Sequence, residues 1–171
     1  CSKTKTFTVE ASSTALIEDI ICNDFQENNT ATIQISTASL GYYEFSLDGS
    51  NYQDSNIFTN LAPGEYTAYV QDKKGCGIAF ETFYILDYPK YFTPNGDGYN
   101  DTWFIKNLDK RNLENSPINI FDRYGKFIKQ ISGASEGWNG TFNGNQSPSN
   151  DYWFEIKLTN GQSIKGHFSL K

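Results

Sequence analysis

The chain of 171 residues contains no methionine, a single histidine, three cysteines and five prolines. One histidine leaves little for imidazole acid–base catalysis, and little for zinc, which draws on several His and Cys ligands. Positive charge is also in deficit: 14 Lys and Arg against 20 Asp and Glu give a net charge of -6. That balance argues against nucleic acid, and against an anionic membrane surface, as partner. No run approaches the roughly 18 apolar residues that would cross a bilayer. The start also lacks the charged, apolar and small-residue order of a signal peptide. The chain therefore reads as a mature segment of something larger, without direct membrane insertion. Long runs of Ala, Leu, Glu and Lys are missing too, which speaks against extended helices.

What is abundant points one way. Aromatics reach 16%, and Tyr, Phe, Thr, Ile, Asn and Gly dominate. Pleated, half-buried surfaces joined by tight turns need that mixture. Period-two alternation predicts strands at Thr6–Glu10, Ala31–Ser36, Tyr43–Leu47, Tyr66–Gln71 and Ala79–Leu86. The breaks between them are turn sequences, such as Asp48-Gly49-Ser50-Asn51 and Ala62-Pro63-Gly64. A second series follows Pro89: Trp103–Asn107, Ile118–Asp122, Phe127–Ile131, Tyr152–Leu158 and Ser163–Leu170. Short strands at this spacing predict an all-β chain of two tandem immunoglobulin-like antiparallel β-sandwich domains.

A repeat refines the boundaries. Cys1-Ser2-Lys3-Thr4-Lys5-Thr6-Phe7-Thr8-Val9 parallels Cys76-Gly77-Ile78-Ala79-Phe80-Glu81-Thr82-Phe83-Tyr84, a cysteine leading into a strand in both. Residues 1–12 then read as the last strand of a preceding repeat, 13–87 as one complete module and 88–171 as a second domain. The repeat also accounts for the odd cysteine, by leaving the partner of Cys1 upstream. Cys22 and Cys76 become the natural pair, closing a loop of about 54 residues worth about 4 kcal/mol in the chain-entropy model. Buried thiols are the alternative. Either usage suits an oxidising compartment.

Catalysis finds little support. His167 lies inside a strand, no serine sits in a nucleophile elbow, and no cysteine has a nearby base. Trp103, Trp138 and Trp153 could form a sugar-stacking platform, but each falls where a small sandwich uses tryptophan for its core. The densest local signal is Phe92-Thr93-Pro94-Asn95-Gly96-Asp97-Gly98-Tyr99-Asn100-Asp101. Oxygen-bearing side chains at Asn95, Asp97 and Asp101 match positions 1, 3 and 7 of a calcium loop, although Lys106 stands where a bidentate glutamate belongs. The other reading is an Asx-rich turn that bonds its own backbone.

The same loop, extended through Thr102-Trp103, resembles the opening signature of the gliding-motility-associated C-terminal domain, the type B sorting domain of the type IX secretion system. Further blocks follow in that family's order. Ile118-Asn119-Ile120-Phe121-Asp122-Arg123-Tyr124-Gly125 is similar to its central strand. Trp138-Asn139-Gly140-Thr141 is similar to its Trp-Asp-Gly-Thr turn, with Asn in place of Asp. Asp151-Tyr152-Trp153-Phe154 resembles its aromatic strand, although Ser149-Asn150-Asp151 lacks the usual glycine. Lys165-Gly166-His167-Phe168-Ser169-Leu170-Lys171 resembles its closing strand. The segment Tyr43–Val70 resembles the repeat modules of large gliding-motility adhesins.

The resemblance implies a non-enzymatic adhesin fragment, secreted and held at the outer-membrane surface. Its last domain would direct export through the type IX translocon and meet an outer-membrane β-barrel of the PorP/SprF family. The signature residues it marks are Phe92, Pro94, Asn95, Gly96, Asp97, Gly98, Asn100, Asp101, Phe121, Arg123, Gly125, Trp138, Gly140, Lys165 and Gly166. Contacts are expected on the 92–101 loop, the 122–126 turn and the closing strand, whose exposed edge would add to a sheet in the partner. No cofactor is required, with calcium as stiffening. The alternative is a carbohydrate-binding sandwich appended to a secreted enzyme.

Overall fold

The computed structural model describes residues 3–6, 10–157 and 163–171. Cys1, most of the strand expected at Thr6–Glu10 and the Asn160–Gly161 loop lie outside the described residues. The chain divides into two compact units, residues 1–23 with 27–83, and residues 24–26 with 84–171. Both are all-β, as the alternation predicts.

In the first unit β1 (Ile17–Asn23), β2 (Asn29–Ile35) and β4 (Ile57–Leu61) form one sheet in the order β1-β2-β4. The strands β3 (Tyr43–Ser46), β5 (Gly64–Asp72) and β6 (Ile78–Ile85) form another, in the order β3-β5-β6. Each sheet gives alternate residues to the interior: Ala31 and Ile33 from β2, Ala68 and Val70 from β5. A side-chain period of two requires this of any strand with one covered face. The Asp48–Asn51 turn is fixed by one carboxylate. Asp48 Oδ1 accepts from the amides of Asn51 (2.7 Å) and Ser50 (2.8 Å), and the Asn51 amide above all holds its pKa far below the ordinary carboxylate range.

The expected Cys22–Cys76 bridge is not made. Cys22 stands half-buried on β1, opposite Ala31 of β2. Cys76 lies exposed in the turn between β5 and β6, which belong to the other sheet. There its amide donates to Asp72 Oδ2 (3.0 Å) and its carbonyl accepts from the Thr14 hydroxyl (2.8 Å). The repeat marks Cys76 as the head of a strand, but Cys76 stands exposed in the turn before β6 and not on the interior face where a bridge between sheets forms.

The second unit is built on a five-stranded sheet in the order β7-β13-β12-β8-β9, comprising β7 (Tyr91–Phe92), β8 (Pro117–Asp122), β9 (Phe127–Ser132), β12 (Asn150–Lys157) and β13 (Ser163–Leu170). Neighbours run antiparallel except β7 and β13, which are parallel. A separate hairpin, β10 (Thr141–Phe142) and β11 (Asn145–Gln146), turns through Asn143 and Gly144 at φ of 50° and 79°. Positive φ at both central residues is what an Asn-Gly hairpin turn needs.

One face of the large sheet is covered. Ile118, Ile120, Tyr152, Phe154, Ile156, Phe168 and Leu170 meet a layer of chain that carries Leu86, Tyr88, Trp103, Ile105, Leu108, Leu113 and Trp138, all buried. The expected strand at Trp103–Asn107 belongs to this layer and is not a strand. Only single bridges hold it, Trp103 to Trp138 and Lys106 to Asp87, and Asn107 turns to a φ of 65°. Trp103 stacks on Phe168 with centroids 4.0 Å apart and planes 13° apart. Phe25 places its ring edge-on to Tyr88 (5.1 Å) and Phe154 (6.0 Å). Its neighbour Asp24 is ion-paired with Arg111 and accepts the Leu86 amide at 2.9 Å. Each fully buried ring contributes on the order of 2–3 kcal/mol by leaving water, so this aromatic layer is the main anchor of the unit.

Candidate functional site

The 92–101 loop begins on a buried anchor and leads into another. Phe92 is fully buried, its ring 5.5 Å from Trp138 and 5.9 Å from Phe168. Between Phe92 and Trp103 the chain leaves the core and braces itself. Thr93 donates its amide to the Asn100 carbonyl at 2.7 Å, which closes the loop. Asp101 uses both oxygens, Oδ1 on the Gly96 amide (2.7 Å) and Oδ2 on the Gly98 amide (2.8 Å). Asp97 accepts from the Tyr99 amide and from the Asn95 side chain, each at 2.8 Å, and donates its own amide to Asn95 Oδ1 at 3.1 Å. Gly96 (φ 79°), Gly98 (φ 87°) and Asn100 (φ 51°) supply the left-handed backbone for this path. The Tyr99 amide, followed by Asn95, holds the Asp97 pKa below its ordinary value. Asn95, Asp97 and Asp101 thus meet in one loop and engage its own donors, the bonding of an Asx-rich turn. At its tip Tyr99 is 79% exposed.

The second block forms the β8–β9 hairpin. Asp122 accepts the Tyr124 amide (2.8 Å) and the Lys126 amide (2.9 Å) on Oδ1, while its carbonyl takes the Gly125 amide (3.0 Å). Gly125 sits at a φ of 80°, the αL position of a tight hairpin loop. Arg123 and Tyr124 project from this turn, the guanidinium carbon 4.8 Å from the ring centroid and Nη2 donating to the hydroxyl at 2.6 Å. Phe121 is half-buried against Phe127.

The remaining signature residues are packing residues. Trp138 is fully buried, pairs its backbone with Trp103 and donates Nε1–H to the Thr141 carbonyl at 2.9 Å. A Cβ on Gly140 would lie 2.9 Å from Leu170 Cδ1 and 3.1 Å from Pro94 Cγ, so this glycine lets the first block meet the closing strand. Asn139 does with its amide oxygen what a carboxylate would do: Oδ1 accepts the Thr141 hydroxyl at 2.7 Å and amide at 3.3 Å. Among the described residues none from 148 to 151 takes a positive φ, so this turn runs without the family's glycine. Gly166 lies beneath the Phe154 ring, and Lys165 is exposed beside Glu155 at 3.5 Å. The closing strand is not a bare edge. Its end, Ser169–Leu170, is paired with β7, which leaves the stretch before it for any added strand.

Next to the Arg123 turn lies a groove of about 560 Å³, lined by Asp122, Arg123, Tyr124, Lys126, Phe142 and Tyr152 among others. Lys126 Nζ stands 4.9 Å over the Phe142 ring. Tyr124 and Lys126 lie in the 122–126 turn where the sequence places contacts, whereas Phe142 is not among the residues marked by the sequence motifs. The Asn143-Gly144 turn signal was the available clue, since it folds Phe142 back toward the first hairpin.

An aromatic core that carries two self-braced turns and a groove defines this unit as an all-β, sandwich-like domain. Residues 86–170 match the family described as CHU_C, the Type IX secretion signal domain, which supports a C-terminal sorting domain over that part of the chain. Such a signal implies a secreted protein that meets the type IX machinery. No match is found among curated proteins. Two solved structures align over most of the chain. One is described as "Biofilm associated protein - BSP domain", at 10% identity and a TM-score of 0.32, covering 91% of this chain and 30% of that one. The other is Tp47, the 47-kilodalton lipoprotein of Treponema pallidum, at 9% identity and 0.28, covering 98% and 54%. The chain therefore spans less than two thirds of either. Among the described residues no helix is long and apolar enough to cross a membrane.

Proposed function

We propose that this chain is the C-terminal part of a non-enzymatic cell-surface adhesin, and that its second unit both sorts the protein through the type IX system and anchors it outside the outer membrane. The match of residues 86–170 to the secretion signal domain carries the reading. The partner is an outer-membrane β-barrel of the PorP/SprF family, met through the 95–101 loop, the Arg123 turn and its groove. Recognition of a folded cargo needs side chains displayed at fixed positions, and self-braced turns hold Tyr99, Arg123 and Tyr124 at low entropic cost. The first unit acts as a spacer module of the adhesin. No cofactor is needed. Calcium at Asn95, Asp97 and Asp101 would stiffen the loop without serving export, and calorimetry with calcium that shows neither heat nor a shift in melting removes that ion.

A periplasmic reporter fused to the full 171-residue chain should reach the cell surface of a type IX-competent host, and a fusion ending at Phe83 should stay in the periplasm. Equal display of the two fusions, or display that survives loss of the partner barrel, overturns the reading.

A further inference from the structure

The five-stranded sheet of the second unit keeps one face out of the core, and the composition of that face is ordered. The registers align His167 with Trp153, Trp153 with Phe121, and Phe121 with Phe127. One row crossing β13, β12, β8 and β9 therefore holds an imidazole and three aromatic rings. Trp153 is 41% exposed and Phe127 50%, His167 is exposed and Phe121 half-buried. The Trp153 and His167 rings lie 6.2 Å apart with planes inclined by 33°, and so share a face. Phe121 and Phe127 meet edge-on at 6.0 Å and bound the far end. With neighbouring strands about 4.8 Å apart, the row extends roughly 14 Å across the sheet.

The rows on either side are polar, and their side chains pair with one another. Lys165, Glu155, Asn119 and Gln130 follow the same registers. Lys165 Nζ lies 3.5 Å from Glu155, and Gln130 Nε2 donates to Asn119 Oδ1 at 2.8 Å. Opposite them the Ser169 hydroxyl donates to Asp151 at 2.6 Å, and Lys171 Nζ stands 4.6 Å over the Tyr91 ring. With Lys157 one row further out, the face carries Lys157, Lys165 and Lys171 against Asp151 and Glu155, and both carboxylates are already engaged, Glu155 by Lys165 and Asp151 by Ser169. Each of these groups still has spare donor or acceptor capacity, an ammonium alone carrying three donors.

We propose that this aromatic row is a binding site for a neutral, linear polysaccharide of equatorially linked pyranose units. Such a chain presents flat C–H faces, which stack on aromatic rings, and hydroxyls at its rim, which meet the paired polar rows. Its lack of charge suits rows whose nearest charged groups are already engaged, Lys165 with Glu155 and Asp151 with Ser169. A protein hot spot favours a fully desolvated pocket ringed by apolar contacts, whereas this row lies across an open sheet between charged side chains. The inference goes beyond the export reading: the unit that carries the address also holds sugar chains.

Affinity gel electrophoresis of the full chain tests it, with xylan, glucomannan or mixed-linkage β-glucan in the gel and polygalacturonate as the charged comparison. At least one neutral polymer should retard the protein more than polygalacturonate does. Trp153→Ala should weaken that retardation at least ten-fold at unchanged circular dichroism and melting, while Trp153→Phe retains most of it. No retardation by any neutral polymer, or Trp153→Ala binding as the parent does, overturns the proposal. Sugar-free binding to an outer-membrane extract that Trp153→Ala abolishes would assign the row to a protein, and overturns it equally.

Discussion

At Asp97 the carboxylate is held charged by the Tyr99 amide and then by the Asn95 side chain, so its folded pKa lies below the ordinary 3.8. A folded pKa lower than the unfolded one means that the unfolded chain binds the proton more tightly. Its contribution is complete above the ordinary value and is lost as pH falls through the folded one. Loop order followed by NMR should therefore be flat from neutral pH down to about 4 and fail below it. Asn95→Ala should move the Asp97 midpoint upward, and a midpoint that stays put would remove Asn95 from the account. At this scale the sequence was half legible. Oxygens at 95, 97 and 101 fit a cation or a self-bonded turn equally well, because spacing places lone pairs without saying what they meet. The roles of Trp103, Trp138 and Trp153 were also unequal in a way the sequence hides. All three look like core residues, yet Trp153 points outward, since its strand buries the even-numbered Tyr152, Phe154 and Ile156.

Among the elements, the β8–β9 hairpin and the closing strand each depend on a glycine, for different reasons. A Cβ added at Gly125 would find nothing within 4 Å, but the residue sits at a φ of 80°. Gly125→Ala therefore meets only backbone strain, about 1–2 kcal/mol, and Gly125→Asn less. On β13 a Gly166 Cβ would meet Phe154 Cε1 at 2.5 Å and the Tyr88 hydroxyl at 2.9 Å. Gly166→Ala overpacks the core and should cost about 3 kcal/mol or more. Thermal melting should rank Gly166→Ala well below Gly125→Ala, and the reverse order would show that the aromatic layer yields easily. Alternation read β8, β9, β12 and β13 to within two residues. It missed β1, where Glu18 and Asp19 interrupt the pattern at a register shift, and β4, where Asn60 turns to a φ of 59°. It read a strand at Trp103–Asn107 because a covering segment buries alternate residues too, without a ladder to pair with.

For the molecule as a whole, the second unit is discontinuous in sequence, with residues 24–26 joining 84–171. Asp24, its side chain 1% exposed, is the sharpest part of that arrangement. Removing a buried carboxylate leaves the Arg111 charge and the Leu86 amide without this partner, so Asp24→Ala should cost the second unit about 3 kcal/mol. Denaturant unfolding followed by a probe in that unit would register the loss, and an unchanged midpoint would show the ion pair to be incidental. No pattern in Asn23-Asp24-Phe25-Gln26 announces this role, because the partner of Asp24 stands 87 residues further on. The all-β class, by contrast, follows from composition and period alone.

The partition of the three tryptophans has an optical consequence. Trp103 and Trp138 are sealed in the aromatic layer, while Trp153 stands 41% exposed on the opposite face of the sheet. Emission from the sealed pair is shifted to the blue and shielded from iodide, so it gauges whether the core is intact. Emission from Trp153 is red-shifted and open to collisional quenching, so it gauges whether the outer face is occupied. One unlabelled molecule thus reports its folding and its surface at separate wavelengths.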